Sequence, residues 1–302
     1  MKASDTLTLL LLSSIWGASF LFMRVASPEF GPITLVFLRM FIALLVVSPF
    51  LLKPTFRTTL WQNLKPLSLL GLLNHVLPFC LLAFATLRLE AGFTSLINAT
   101  TPIFAAMVGA IWFATPINRQ QLLGLVFAFS GIFVLSADKL TFSAGGTGWA
   151  ILAGLGATFC YGLSLHFSKR KLSHLSAREI TVGSMAASST MLILPGIWFW
   201  PAINPSTTAW LSAILLAVVC TAIAFLLFFR LLASAGPMAS STVTFLVPLF
   251  AIAWGVVLLN ETMTLQLFIG MAITLCGTAI ALQLVRIPGL LKPVVPLEPS
   301  QD

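Results

Sequence analysis

One stretch of this chain occurs twice, and this duplication is the strongest constraint on its fold. When the sequence is shifted by 146 positions (241 − 95), eight residues of 95–131 meet identical residues in 241–277 without a gap. They are Ser95, Pro102, Phe104, Ala105, Gly109, Gln120, Gly124 and Gly131, which meet Ser241, Pro248, Phe250, Ala251, Gly255, Gln266, Gly270 and Gly277. Prolines and glycines repeated at fixed spacing mark backbone geometry rather than hydrophobicity alone. We therefore predict two copies of one unit, with the function located between them.

The composition is that of an integral membrane protein. Of the 302 residues, 59% are hydrophobic and 8% are charged, which exceeds what a soluble core of this size requires. The formal net charge is +8, but the basic residues are spread through short gaps between apolar runs. That distribution is typical of loops facing the cytoplasm, so we expect the lipid bilayer as a partner and no nucleic acid.

Ten apolar runs are each about long enough to cross a hydrocarbon layer of about 30 Å. They cover 6–26, 32–52, 64–84, 92–113, 121–137, 148–168, 180–200, 210–231, 238–259 and 265–285. The predicted fold is an all-α integral membrane protein with ten transmembrane helices. We divide it into a first five-helix repeat at 6–137, a second at 148–285 and a short cytoplasmic tail at 286–302.

The basic residues also predict the orientation. Alternate gaps and tails hold twelve Lys and Arg residues, whereas the other gaps hold three, so both termini are expected in the cytoplasm. Because five spans make each half, the second half must enter the membrane upside down relative to the first. Inverted-topology repeats of this kind recur in secondary transporters, which place the substrate near mid-membrane between the repeats.

The distribution of acidic residues argues against several classes of function. None of the eight carboxylates lies in the middle of a predicted span. A carboxylate relay for protons or sodium, a metal site and an intramembrane acid–base enzyme therefore have no candidate residues. The four cysteines lie in apolar runs without a CxxC pair and are predicted to be reduced packing residues. We expect no cofactor and no metal.

Two basic residues, Arg39 and His75, lie deep within predicted spans and away from the span ends. Arg39 is interpreted as a structural cation that bonds carbonyls at a helix end or extends toward the surface, in preference to an anchor for a substrate carboxylate. His75 shares a helix face with Phe79, and packing and cavity lining are equally good interpretations of it.

The duplicated proline predicts a bend in each half. Asn98, Thr101 and Pro102 follow three- and four-residue steps on one face of the fourth span. Pro102 frees a backbone carbonyl near Asn98, which is permitted only where protein or a cavity covers it. Pro248 does the same in the second half, so we predict two bent helices around a central cavity.

The chain resembles the ten-helix EamA-type exporters of the drug/metabolite transporter superfamily, over 7–284. The matching residues are Trp16-Gly17-Ala18-Ser19-Phe20 with Arg24, Pro32 with Arg39, Pro102-Ile103-Phe104, Tyr161-Gly162, Pro248-Leu249-Phe250 and Leu258-Leu259-Asn260-Glu261 before Met263-Thr264. One departure is Ala114-Thr115-Pro116, where the family often has the Gly-Glu type of ending seen at Asn260-Glu261. We therefore interpret Glu261 as a structural group at a helix end.

The resemblance implies two inverted five-helix halves around a cavity and export of small metabolites across the cell (inner) membrane. It favours amino acids, and the best studied branch exports aromatic ones. The sequence leaves open whether transport is facilitated diffusion or proton exchange through His75. An intramembrane enzyme and a non-transporting scaffold are the alternatives from other classes.

We therefore hypothesise alternating access by a protein that is not an enzyme and that is expected to be a monomer. The halves are predicted to rock about hinges at Pro102 and Pro248. The predicted substrate-binding residues are Trp16, Ser19, His75, Phe79, Asn98, Thr101, Tyr161, Ser164 and Phe245.

Overall fold

A computed structural model describes residues 2–113, 115, 117–137, 140–143, 145–285 and 287, leaving aside the side chains at 55, 237–239 and 241. The α-helices are α1 (Ala3–Phe30), α2 (Pro32–Val47), α3 (Pro54–Gln62), α4 (Leu64–Gly71), α5 (Leu77–Ala85), α6 (Ala91–Asn98), α7 (Thr101–Trp112), α8 (Arg119–Ser136), α9 (Thr147–Lys171), α10 (Ala177–Trp198), α11 (Thr207–Ala217), α12 (Ala224–Leu259) and α13 (Leu265–Ala281). A 3₁₀ turn covers Ser48–Leu52, and two π-helical turns cover Leu72–Val76 and Val218–Ile223.

The helices correspond to the ten predicted spans. Within the described residues, nine continuous or nearly continuous helical segments have the length and apolar composition needed to cross a bilayer. The tenth predicted span corresponds to α13, which is apolar and slightly shorter, at 17 residues. Large apolar side chains cover the outside of the bundle; Leu194 is 79% exposed and Phe133 66% exposed. The all-α membrane fold is thereby confirmed.

A few residues used in the sequence analysis lie outside the described part of the chain. These are Ala114, Pro116, Asp138 and the predicted tail at 286–302, apart from Ile287.

The third span contains a π turn because its proline removes a backbone donor. Pro78 has no N–H to give to the carbonyl four residues earlier, so the regular helical ladder is interrupted there. The Leu77 N–H instead bonds the Leu72 carbonyl, five residues back. The wider turn adds a residue to the local repeat and rotates the side chains that follow.

The eighth span has a π turn at the matching place, since 72 + 146 = 218. Here a side chain enters the ladder: the Thr221 hydroxyl donates to the Leu216 carbonyl, 2.8 Å away and five residues earlier. Thr221 occupies the position that His75 holds in the first half (75 + 146). The duplication therefore extends to an irregular turn that the identical residues alone do not reveal.

The duplicated helices α8 and α13 pack against each other through their glycines. A Cβ on Gly131 would lie 2.6 Å from the Thr274 backbone nitrogen, and one on Gly124 would lie 2.6 Å from the Ala281 Cα. As residue number rises along α8, the partner's number falls along α13, so the two helices run antiparallel. Only glycine permits backbones to approach this closely.

A second pair of glycines joins the first helix of each half to the proline helix of the other half. A Cβ on Gly17 of α1 would lie 2.8 Å from the Ala251 nitrogen of α12. A Cβ on Gly162 of α9 would lie 3.0 Å from the Ala105 nitrogen of α7. The same contact is thus made twice, and each copy crosses between the halves.

Glu261 adds a polar connection between the halves. Asn260 ends α12 in the left-handed conformation, at φ 54°, and turns the chain so that Glu261 reaches the start of α6. The Glu261 Oε1 accepts the Ala91 N–H at 2.9 Å. A carboxylate at a helix N-terminus satisfies a free N–H and faces the positive end of the helix dipole. The helix-end role predicted for Glu261 is confirmed by this bond.

Candidate functional site

A cavity of about 330 Å³ lies inside the helix bundle and is bordered by both halves. The first half contributes side chains from α1, α2, α5, α6, α7 and the first π turn, while the second contributes side chains from α9 and α12. Its volume falls in the range of small-molecule sites.

Six of the nine predicted binding residues line this cavity, together with one of the two predicted hinges. They are Trp16, Ser19, Phe79, Asn98, Thr101, Tyr161 and Pro102. Trp16 precedes Gly17 in the first half, and Tyr161 precedes Gly162 in the second, so each half contributes the aromatic residue of such a pair. Phe225 adds a further aromatic wall and meets Trp16 edge to face, with ring centroids 6.2 Å apart.

The structure places the other predicted binding residues, and Pro248, outside the lining. His75 is 1% exposed, and its Nε2 lies 3.1 Å from the Ser184 hydroxyl on α10. Its ring packs on Phe79, with centroids 5.6 Å apart. Phe245 is half-buried beside Thr244, which does line the cavity, and Pro248 is buried and is not among the lining residues. The prediction that His75 and Phe245 share the cavity face is therefore corrected.

Ser164 reaches the cavity only through a neighbour. Its hydroxyl lies 2.9 Å from Asn74 Oδ1 and 2.9 Å from the Tyr161 carbonyl. Asn74, in the first π turn, is a lining residue that the predicted set omitted. Ser164 thus lies outside the lining and orients the Asn74 amide.

Arg39 is the main feature of the site that the predicted set missed. It is 5% exposed, lies on α2 and faces the cavity. Its Nε donates to the Thr221 hydroxyl at 2.8 Å, and its guanidinium carbon lies 3.7 Å from the centroid of the Phe79 ring. The interpretation of Arg39 as a cation that bonds helix-end carbonyls or extends to the surface is therefore wrong. The signal available in the sequence was its position, two turns into an apolar span.

Two oxygens beside the cavity have no hydrogen-bond partner in the described part of the protein. They are the Asn98 Oδ1 and the Ser95 Oγ, both on α6, and both residues line the cavity. Buried polar atoms are normally paired, so two unpartnered ones on residues that line a cavity indicate that something else satisfies them. This second feature was only half predicted, because Asn98 was named and Ser95 was not.

The break between α6 and α7 holds Asn98 at the cavity. Pro102 cannot donate to the Asn98 carbonyl, and the Thr101 hydroxyl does so instead at 2.7 Å. The Thr100 hydroxyl likewise donates to the Ile97 carbonyl at 2.7 Å. Side-chain hydroxyls thus satisfy the backbone that the proline leaves open, which is how broken helices persist at membrane depth.

The fold and this cavity between the halves are those of a membrane transporter of small molecules. The sequence profile of the EamA-like transporter family matches the chain twice, over residues 5–137 and 148–283, and the chain belongs to that family.

Several bacterial transporters are similar to this chain along nearly their whole length. A probable amino-acid metabolite efflux pump of Escherichia coli is 25% identical over 295 residues, covering 92% of this chain and 94% of its own. A probable terminal-alkyne amino-acid exporter of Streptantibioticus cattleyicolor is 24% identical over 284 residues, covering 92% and 93%. An uncharacterized transporter of Bacillus subtilis is 24% identical over 272 residues, covering 89% and 88%.

A solved crystal structure has the same fold. It superposes with a TM-score of 0.61 at 18% sequence identity and covers 94% of this chain and 98% of its own. The family match and the names of these relatives point to a multi-pass membrane transporter.

Proposed function

We propose that this protein exports amino acids or closely related metabolites across the cell membrane by alternating access through the central cavity. The observation that carries the proposal is a cavity bordered by both halves that holds a buried cation, unpartnered oxygens and aromatic walls. The names of the Escherichia coli and Streptantibioticus cattleyicolor relatives support amino acids as the solute class.

The same proposal includes the arrangement of the chain in the membrane. The repeats, at 6–137 and 148–285, are inverted relative to each other, both termini face the cytoplasm, and the halves rock about Pro102 and Pro248. The antiparallel packing of the duplicated helices α8 and α13 supports the inversion. Cysteine labelling in a cysteine-free background tests the orientation: Asn204→Cys should react from outside the cell and His174→Cys only from inside.

Transport is expected to run down the solute gradient. Among the described lining residues, Arg39 is the charged one, and it keeps its charge at any physiological pH. Exchange in proteoliposomes with and without a pH gradient tests this point. Solute accumulation driven by the pH gradient would favour proton exchange instead.

Resistance to toxic amino-acid analogues tests the passage itself. Ser19 lines the cavity, whereas Leu11 on the same helix is 48% exposed on the outer surface. We expect cells expressing the wild type or Leu11→Trp to gain resistance, and cells expressing Ser19→Trp to lose it. Equal resistance in all three would contradict transport through this cavity, and resistance in none would contradict the proposed function.

A further inference from the structure

We propose that Arg39 binds the carboxylate of the transported solute and that Asn98 and Ser95 bind its ammonium group. The inference rests on the proposed function and deepens it, because it specifies which groups of a zwitterionic amino acid the cavity recognises. It also predicts that solutes lacking the carboxylate are rejected.

The first step concerns the donors of Arg39. A guanidinium has five N–H donors. Among the described residues, Nε donates to Thr221, and the remaining polar contact is a long one of 3.9 Å from Nη1 to the Met23 sulfur, a weak acceptor. Most of the donors therefore have no strong acceptor from the protein. Two parallel donors of this kind match the two oxygens of a carboxylate.

The second step concerns charge. No Asp or Glu of the described chain lies within ion-pair distance of Arg39, although the residue is almost completely buried. The Phe79 ring face, 3.7 Å from the guanidinium carbon, offers a cation–π contact, which offsets only part of the cost of burying a cation. A solute carboxylate supplies the missing negative charge.

The third step concerns the hydrogen-bond acceptors that suit the ammonium group. Asn98 Oδ1 and Ser95 Oγ are acceptors without partners, and they lie one turn apart at the end of α6. The C-terminal end of a helix carries a partial negative charge and favours cations. An ammonium group is the part of an amino acid that donates three hydrogen bonds and carries a positive charge. Half-helix ends at mid-membrane bind ions in this way in other transporters.

The remaining surface suits an apolar or aromatic side chain. Trp16, Tyr161 and Phe225 line the same cavity as the polar residues of this proposed site. They offer apolar contact and no charge, so the side chain of the solute contributes affinity through burial while the two backbone groups set its orientation.

A set of three probes tests the inference on the unmodified protein. Counterflow in proteoliposomes is measured with L-phenylalanine, L-phenylalaninamide and 3-phenylpropionate, and the set is repeated with the leucine equivalents. We expect the amide, which lacks the carboxylate, to exchange about 10- to 100-fold less efficiently than the amino acid, as loss of a charged hydrogen-bonding pair does. The propionate, which lacks the ammonium group, should show a smaller loss.

Variants then test which residue recognises the carboxylate and which recognises the ammonium group of the solute. Arg39→Met should abolish the preference for acid over amide, and Arg39→Lys should restore part of it. Asn98→Leu should reduce the preference for phenylalanine over 3-phenylpropionate and leave the acid-to-amide ratio unchanged. Arg57→Met, at an exposed arginine of α3, is the matched control and should behave as the wild type.

The outcomes separate this inference from the proposed function. If Arg39→Met still exchanges amino acids with the wild-type acid-to-amide ratio, the inference is overturned and amino-acid transport stands. If the wild type exchanges the amides as well as the amino acids, the inference is overturned without reference to any variant. If the wild type exchanges no amino acid, the proposed function and the inference fail together.

Discussion

The Thr221 hydroxyl lies 2.8 Å from the Nε of Arg39, so the π turn of the second half holds the buried cation of the first. A related contact occurs across the cavity wall, where His75 in the first π turn lies 3.1 Å from Ser184 on α10. Each irregular turn thus bonds to a helix of the opposite half. A π turn changes the direction of the side chains around it, and in both halves a side chain of the turn makes this contact.

Thr221→Val should weaken solute binding without blocking the cavity. The valine has nearly the same shape but cannot accept from Arg39, and leaving a buried charged donor without its partner costs about 1–3 kcal/mol. We expect a raised KM for amino-acid exchange and a lower unfolding temperature. Thr221→Ser should restore both, and Thr190→Val, at an exposed threonine of α10, should change neither. An unchanged KM in Thr221→Val would show that the Arg39 position does not depend on this bond.

His75→Leu should leave both folding and transport close to normal. The Nδ1 of His75 is buried without a partner in the described protein, so removing it offsets the loss of the Ser184 contact. Ser184 keeps its hydrogen bond to the Thr181 carbonyl at 3.1 Å. The expected change in unfolding free energy is below about 1 kcal/mol. A well-folded His75→Leu protein that no longer transports would contradict this and would reopen proton exchange at His75.

Gly131→Ala should destabilise the protein because the added methyl group collides with Thr274 of α13. Overpacking of this kind costs about 1–3 kcal/mol, measurable as a lower unfolding temperature in detergent. Gly156→Ala on α9 is the control, since the nearest atom to its new Cβ would be 3.5 Å away, on Leu81. It should be neutral or more stable by up to about 1 kcal/mol, as expected for alanine in a helix. Equal effects of the two changes would mean that the α8–α13 contact is looser than described.

Stability should depend on pH through Glu261. Burial raises the pKa of Glu261, although the Ala91 N–H that it accepts acts in the opposite direction. The folded protein therefore binds a proton more tightly than the unfolded chain does. The contribution of Glu261 to the free energy of unfolding is fully present below its ordinary pKa of 4.5, and it is lost as pH rises through the raised pKa.

Thermal unfolding as a function of pH measures this contribution. Glu261→Gln, which keeps an oxygen for the Ala91 N–H, should flatten the pH dependence in that window. An unchanged pH dependence in the glutamine variant would place the titration on another group.

Much of the architecture could be predicted from the sequence because helices in a bilayer depend on long apolar runs, which are plain to see. The side of each helix that faces the cavity was harder to predict. The expectation for His75 assumed a regular helix, but the π turn at Leu72–Val76 rotates the face, so that Asn74 lines the cavity and His75 packs behind it. Arg39 posed a different difficulty, because α2 is apolar on all sides and its sequence does not indicate an inner face.

The crossed glycine contacts bear on how the protein can be assembled. Gly17 is pressed against Ala251, and Gly162 against Ala105, so the first helix of each half completes the other half's wall. A five-helix copy made alone would leave both of these grooves bare to lipid. Two separately synthesised copies would have to meet in the bilayer before either could enclose a solute, and the link between the repeats guarantees that meeting in every molecule.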